Sequence, residues 1–124
     1  MATDIELYTV QVTDTIRTAM EKITRNLHRA VIVLDGRKVV GTVSDGDIRR
    51  AFLRDVLPIA PVEKIMNINC HVTMETNPQK QREIIRREKV TVLPVVNEAN
   101  ELVDVVAAYE PDFEENGGNP PSAS

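Results

Sequence analysis

One short polar segment concentrates side chains that could bind a phosphate and a sugar. Ser44 or Asp45 is suited to cap a helix, and the amide groups at a helix start attract anions. Asp47 could accept two hydrogen bonds from the vicinal diol of a ribose, because a carboxylate has two acceptor oxygens. Arg49 and Arg50 add positive charge nearby. The segment therefore combines phosphate chemistry with sugar chemistry.

A purely structural role explains the same residues. A Ser-Asp-Gly-Asp sequence before a helix is a frequent capping sequence, and paired arginines usually lie on a solvated helix face. The spacing of these residues is compatible with a cap and with a binding site, so both interpretations stay open at this stage.

The polar segment is predicted to join a strand to a helix. Val39–Ser44 is rich in β-branched residues, which favours a strand. Ile48, Ala51 and Phe52 fall at i, i+3 and i+4, so they share one face of a helix over Asp45–Arg54. The polar side chains would then lie where the strand ends and the helix begins.

The pattern of elements returns after a shift of about 62 positions, which predicts two copies of one supersecondary unit. The first copy is predicted to begin with the strand Tyr8–Val12 and a helix capped by Asp14 or Thr15, followed by the strands Ala30–Leu34 and Val39–Ser44. The apolar stripe of that first helix comprises Ile16, Ala19, Met20, Ile23 and Leu27. The second copy is predicted to contain the strand His71–Met74, the helix Pro78–Glu88 and the strands Val92–Val96 and Leu102–Ala107.

Composition and charge exclude several classes of function. The chain of 124 residues has a net charge of −4 and 3% aromatic residues, which argues against binding nucleic acid by charge or by stacking. Its single cysteine, Cys70, rules out an internal disulfide, and His28 and His71 lack the spacing of metal ligands. No signal peptide and no apolar run of membrane-spanning length is present, so we expect a cytoplasmic protein without membrane contact.

The carboxylates of the polar segment do not predict catalysis. Acid–base catalysis needs two positioned groups in one cleft. Asp45 and Asp47 are two residues apart near a helix start, so their side chains would point in different directions. We therefore expect that the protein is not an enzyme.

The ordered set of motifs resembles a CBS domain pair. Gly41, Ser44 and Asp47 match the family pattern of Gly, a hydrophobic residue, any residue, Ser or Thr, two residues and Asp. Val62–Asn67 looks like the segment that introduces a second CBS motif, and Leu93–Val96 resembles the second strand of that motif. The string from Thr42 to Arg50 is similar to CBS segments attached to sugar-nucleotidyltransferases and to arabinose-5-phosphate isomerases.

The resemblance implies an α+β fold in which tandem CBS motifs, each β-α-β-β-α, pack sheet to sheet. The first motif would span residues 5–57 and the second 62–112, and residues 114–124 are predicted to form a disordered tail. The second motif departs from the pattern, because Asp104, Ala107 and Glu110 replace the glycine, the Ser/Thr and the aspartate, and Pro111 disfavours a helix there.

The family function implied is a regulatory module that binds an adenosine nucleotide, AMP, ADP or ATP, at the first motif only. Asp47 would hold the ribose, Ser44 and Arg49 or Arg50 would meet phosphate, and Thr13 and Ala30–Val31 would line the base pocket. The complete set of expected site residues is Thr13, Ala30, Val31, Thr42, Ser44, Asp45, Asp47, Arg49 and Arg50.

The family also implies a homodimer, and an enzyme of a sugar-nucleotide pathway is a candidate partner. Apolar residues near the connector between the copies, Leu53, Val56 and Leu57, would be left uncovered in a monomer. A structural dimerisation module without any ligand is therefore the alternative function.

Overall fold

The computed structural model describes residues 4–108. Within this range the chain forms five strands and three α-helices, with 3₁₀ turns at Ile5–Tyr8 and Val62–Lys64. The elements in chain order are β1 (Thr9–Gln11), α1 (Ile16–Asn26), β2 (Ala30–Asp35), β3 (Lys38–Ser44), α2 (Asp45–Leu53), α3 (Pro78–Glu88), β4 (Val92–Val96) and β5 (Leu102–Ala107). The predicted α+β class is confirmed, and α3, β4 and β5 have the predicted bounds. None of the described helices combines the length and the hydropathy needed to span a bilayer.

The two repeats build separate sheets that differ in size. The first sheet has the order β1-β2-β3, with β1 parallel and β3 antiparallel to β2, whereas the second contains only the antiparallel pair β4-β5. Both antiparallel pairs change register at the same place, between Val33 and Leu34 in the first repeat and between Val95 and Val96 in the second. These pairs of positions are separated by the period of the repeat.

The predicted strand His71–Met74 is wrong, because only Thr73 pairs with its neighbour. Thr73 forms an isolated parallel bridge to Val95, through hydrogen bonds from Thr73 N to Pro94 O (3.1 Å) and from Val96 N to Thr73 O (2.8 Å). The next bond towards His71 would need an amide hydrogen on residue 94, and proline has none. Pro94 therefore ends the pairing after one residue.

The first helix buries a narrower stripe than the sequence predicted. Thr15 caps α1 by accepting a hydrogen bond from Thr18 N, so of the two candidate caps Thr15 is the one used. Ile16, Ala19 and Ile23 are buried, but Met20 is exposed at the edge of the stripe.

Leu27 is also exposed, because it lies beyond the last turn of α1 in a left-handed conformation (φ 62°). Lys89 ends α3 in the same way (φ 58°), with its amide bonded to Ile85 O as that of Leu27 is bonded to Ile23 O. The two helices of the repeat therefore end alike, although one cap is apolar and the other is cationic.

The central strand β2 connects the two halves of the core. Val31 and Val33 face α1 and α2, while Ile32 points to the second sheet, and all three are fully buried. The cluster between the sheets contains Tyr8, Ile32, Val39, Val92, Val96, Val105 and Ala107. Packing of the two sheets against each other is therefore confirmed, and it explains why β2 is an uninterrupted apolar run rather than an alternating one.

Hydrogen bonds also join the two repeats. The amide of Val39 donates to Asn100 O (3.0 Å), and Asn100 Nδ2 donates to Val39 O (2.8 Å), so the β4–β5 turn is held against β3. At the opposite end of the sheets, the Thr91 hydroxyl donates to His28 O. The repeats are thus fixed to each other at both ends of the interface.

Three sequence predictions concern regions at the edges of this fold. Glu110 and Pro111, the end of the second motif at residue 112 and the predicted tail 114–124 lie outside the described residues. Near the connector, Leu53 and Leu57 are exposed as expected, but Val56 is half-buried and packs on the core of the first repeat.

Candidate functional site

Ser44 and Asp47 form a complete capping box at the start of α2. Ser44 Oγ accepts a hydrogen bond from Asp47 N (3.2 Å), and Asp47 Oδ2 accepts from Ser44 N (2.9 Å) and from the Ser44 hydroxyl (3.0 Å). Of the two interpretations of this segment, the structural cap is therefore present.

Asp47 is further engaged by Arg50, whose Nη2 donates to Asp47 Oδ1 at 2.8 Å. A carboxylate offers about four acceptor positions, and these contacts already use three of them. A ribose diol that needs two positions would therefore displace one partner. Arg50 is the one free to move, because its side chain is 66% exposed, against 18% for Asp47.

The capped end of α2 opens into a cavity of about 730 Å³ between the repeats. Seven of the nine predicted site residues line it. They are Ala30, Thr42, Ser44, Asp45, Asp47, Arg49 and Arg50. Ala30 joins them because it pairs with Ser44 across the β2–β3 ladder, which brings the start of β2 to the start of α2.

Thr13 and Val31 do not line this cavity, so the structure does not bring them together with the other predicted site residues. Val31 is fully buried and points into the core beneath α1 and α2, on the face of β2 opposite Ile32. Thr13 is exposed, but it follows β1, which runs parallel to β2. The bond from Val12 N to Leu34 O places Thr13 near the carboxyl end of β2, whereas the cavity lies at the amino end with Ala30.

Several residues that line the cavity were not predicted from the sequence. Arg29 and Gly46 belong to the first repeat. The others lie in or near the second repeat: Asn67, Cys70, His71, Lys89, Val90, Thr91 and Val92. The period of the repeat relates lining residues of the two halves, because Thr91 lies 62 positions after Arg29. The structure shows matching bonds from Asp45 N to Arg29 O (3.0 Å) and from Ala108 N to Thr91 O (2.8 Å).

The floor of the cavity depends on Gly41, the glycine of the family pattern. Thr42 and Asn67 exchange backbone hydrogen bonds of 3.1 and 2.8 Å, which bring the connecting segment onto β3. A Cβ atom at residue 41 would lie 2.9 Å from Asn67 O and 3.1 Å from Met66 Sδ. Glycine is therefore required by close backbone approach, and its role in the motif is structural.

Besides Lys89, the second repeat places two titratable side chains, Cys70 and His71, in the wall of the cavity. His71 Nε2 is 3.2 Å from Glu88 Oε1 at the end of α3. Burial raises the pKa of the Cys70 thiol above its ordinary value, and a backbone hydrogen bond opposes the shift only partly. The thiol therefore stays protonated at neutral pH and is a poor nucleophile there.

Comparison with known proteins finds a similarity between the first repeat and one family. The family model of the CBS domain matches residues 1–54. The match covers the first repeat and less than half of the chain. Over 116 residues the chain is 28% identical to inosine-5'-monophosphate dehydrogenase of Korarchaeum cryptofilum, an alignment that covers 90% of this chain but only 23% of that enzyme. This relative is neither a sugar-nucleotidyltransferase nor an arabinose-5-phosphate isomerase, so the predicted link to those enzymes stays a prediction.

Solved structures extend the fold to both repeats. The CBS domains of a transcriptional regulator from Streptococcus pneumoniae superpose with a TM-score of 0.71 at 22% identity, covering 94% of each chain. A CBS domain protein from Pyrobaculum aerophilum, complexed with AMP, gives a TM-score of 0.66 at 24% identity, covering 86% of this chain and 91% of that one. Residues 4–108 thus have the fold of a CBS domain pair, including the second repeat with its shortened sheet.

Proposed function

We propose that this chain is a non-catalytic regulatory module that binds an adenosine nucleotide in the cavity at the start of α2. The observation that carries the proposal is the convergence of Asp47, Arg49 and Arg50 with residues of the second repeat on one cavity. The Pyrobaculum aerophilum protein of the same fold, complexed with AMP, supports this ligand class. The similarity of Thr42–Arg50 to CBS segments of sugar-nucleotide enzymes makes such an enzyme the proposed target of regulation.

The proposed contacts follow from the arrangement of the cavity. The ribose hydroxyls bind Asp47 after Arg50 turns away from it, and Arg50 is then available to the phosphate. The base lies near the starts of β2 and β4, at Ala30 and Val92, where backbone groups supply its hydrogen bonds. Because residues of both repeats contact the nucleotide, its binding would stabilise the way the repeats pack.

Titration calorimetry with AMP, ADP and ATP tests this proposal. We expect one nucleotide per chain and a rise in the thermal midpoint with nucleotide concentration, because a ligand that binds only the folded state stabilises it by RT ln(1 + [L]/Kd). Inorganic phosphate at the same concentrations is the control for simple charge effects. Absence of binding by all three nucleotides at millimolar concentration would overturn the proposal.

The exposed apolar residues in and near the connector favour a second function, self-association. Leu53, Leu57 and Ile59 are 79%, 62% and 72% exposed, although each is a large apolar side chain. We propose that a second copy of the chain covers them in a homodimer. If no nucleotide binds, this dimerisation remains as the function of the module.

Sedimentation equilibrium tests the dimer directly. The wild-type chain should sediment at about twice its monomer mass of 13.9 kDa at tens of micromolar, and the double variant Leu53→Lys/Leu57→Lys should sediment as a monomer. Leu27→Lys is the matched control, because Leu27 is 82% exposed at the end of α1. A monomeric wild-type protein would contradict the proposal.

A further inference from the structure

We infer that the cavity distinguishes nucleotides by the number of their phosphates, through cationic side chains contributed by both repeats. The inference rests on the proposed function for the adenosine part of the ligand. It adds a preference for a triphosphate over a monophosphate and assigns that preference mainly to Lys89, a residue outside the CBS motif of the first repeat.

The start of α2 has little capacity left for a phosphate. The amide of Asp45 already donates to Arg29 O (3.0 Å), and the amide of Asp47 donates to Ser44 Oγ (3.2 Å). The Ser44 hydroxyl is directed at Asp47 Oδ2 (3.0 Å). Apart from the amide of Gly46, which also lines the cavity, a phosphate there therefore depends mainly on the side-chain cations.

The cavity is cationic although the chain is acidic. Four cationic side chains line it, against two carboxylates, while the whole chain has a net charge of −4 with histidine counted as neutral. The cationic residues are Arg29, Arg49, Arg50 and Lys89, and the carboxylates are Asp45 and Asp47. Such a local reversal of charge fits an anionic ligand.

Three of the four cations have no partner among the residues that the structure describes. Within residues 4–108, the side chains of Arg29, Arg49 and Lys89 make no ion pair or hydrogen bond, whereas Arg50 is paired with Asp47. A monophosphate carries a charge of only about −1.5 to −2 at neutral pH. Three unpaired cations therefore match the larger charge of a polyphosphate chain better than that of a single phosphate.

Lys89 approaches the cavity from the second repeat. Its backbone is held in the left-handed conformation (φ 58°) by the bond from its amide to Ile85 O at the end of α3. Its flexible side chain ends in a compact charge that can follow phosphates at different positions. Arg49 belongs to α2 of the first repeat, so phosphates that reach both cations span the gap between the repeats.

The test compares Lys89→Gln with Arg82→Gln by titration calorimetry, using AMP, ATP and inorganic tripolyphosphate as probes. Both residues belong to the same region of the second repeat and both variants lose one positive charge, but Arg82 is exposed on α3 and does not line the cavity. In the wild type, ATP should bind more tightly than AMP. Lys89→Gln should lower the affinity for ATP and for tripolyphosphate about tenfold, equivalent to about 1.4 kcal/mol. The affinity for AMP should fall less than twofold.

Each outcome separates the inference from the proposed function. Equal affinity of the wild type for AMP and ATP, with no effect of Lys89→Gln on ATP, overturns the inference and leaves nucleotide binding intact. An equal loss of ATP affinity in Lys89→Gln and Arg82→Gln also overturns the inference. The loss would then come from the lower net charge of the chain and not from a contact of Lys89. If tripolyphosphate binds and Lys89→Gln weakens that binding, but neither AMP nor ATP binds, the proposed nucleotide function fails. The role of Lys89 in binding a polyphosphate chain is then still supported.

Discussion

Asp47→Ala is expected to lower the affinity for AMP at least about tenfold. The substitution removes a cavity carboxylate that is held in place on both oxygens, by Ser44 on one side and Arg50 on the other. A hydrogen bond to a charged group contributes roughly 1.5–3 kcal/mol, so losing the contact to the ribose is sufficient for that decrease. Titration calorimetry of the variant against the wild type measures it.

The same substitution also weakens the cap of α2, so stability has to be measured separately. We expect a loss of about 1 kcal/mol in the free energy of unfolding without ligand, because the capping box is broken. Asp47→Asn keeps an oxygen for the Ser44 amide and should retain most of that stability, yet it should still lose affinity. Glu110→Ala, at the corresponding position of the second repeat, should leave affinity unchanged. Loss of binding in Glu110→Ala with normal binding in Asp47→Ala would locate the nucleotide elsewhere.

Ile32→Ala is expected to reduce the free energy of unfolding by about 2–5 kcal/mol. Ile32 is fully buried at the centre of the cluster between the two sheets, so its truncation leaves a cavity that residues of both repeats line. A loss of this size should lower the thermal midpoint by roughly 10 °C or more. Thermal and urea unfolding, monitored by circular dichroism, measure the loss.

Val103→Ala provides the matched control, because Val103 is an apolar strand residue of β5 that is 53% exposed. It should change stability by less than about 0.5 kcal/mol. Equal effects of the two substitutions would mean that the sheets do not pack through Ile32, contrary to the described fold.

The amino-acid sequence by itself determined most of the local elements. Asn77 accepts hydrogen bonds from Gln79 and Lys80, and Pro78 takes the first helical position, so α3 begins where its capping signals place it. β4 and β5 are β-branched runs separated by a polar turn, and their bounds agree with prediction. The pattern of Gly41, Ser44 and Asp47 also pointed to the fold of a CBS domain pair, which the solved structures share. Signals of this kind act over a few neighbouring residues, so they are readable without the fold.

Tertiary structure decided how the strands pair and which residues share the cavity. Thr73 pairs only once, because the missing amide hydrogen of Pro94 lies on a strand 21 positions further along the chain. Val31 was expected in the base pocket, but the strand buries it on the helix side, whereas the adjacent Ala30 lines the cavity. Alternation along a strand separates such neighbours, and only the position of the second sheet shows which face the ligand can reach.

The composition of the cavity was likewise settled only by the packing of the two repeats. Lys89 and Arg29 carry no motif, and 60 positions separate them in the chain. They share one cavity because the sheets pack face to face and bring the starts of β2 and β4 together. The sequence singled out Ser44 and Asp47 together, but it left open whether they form a cap or a binding site. The hydrogen bonds of the folded chain show that they form the cap of α2. Side-chain identity predicts which chemistry a residue can perform, and three-dimensional packing decides which partners are within reach.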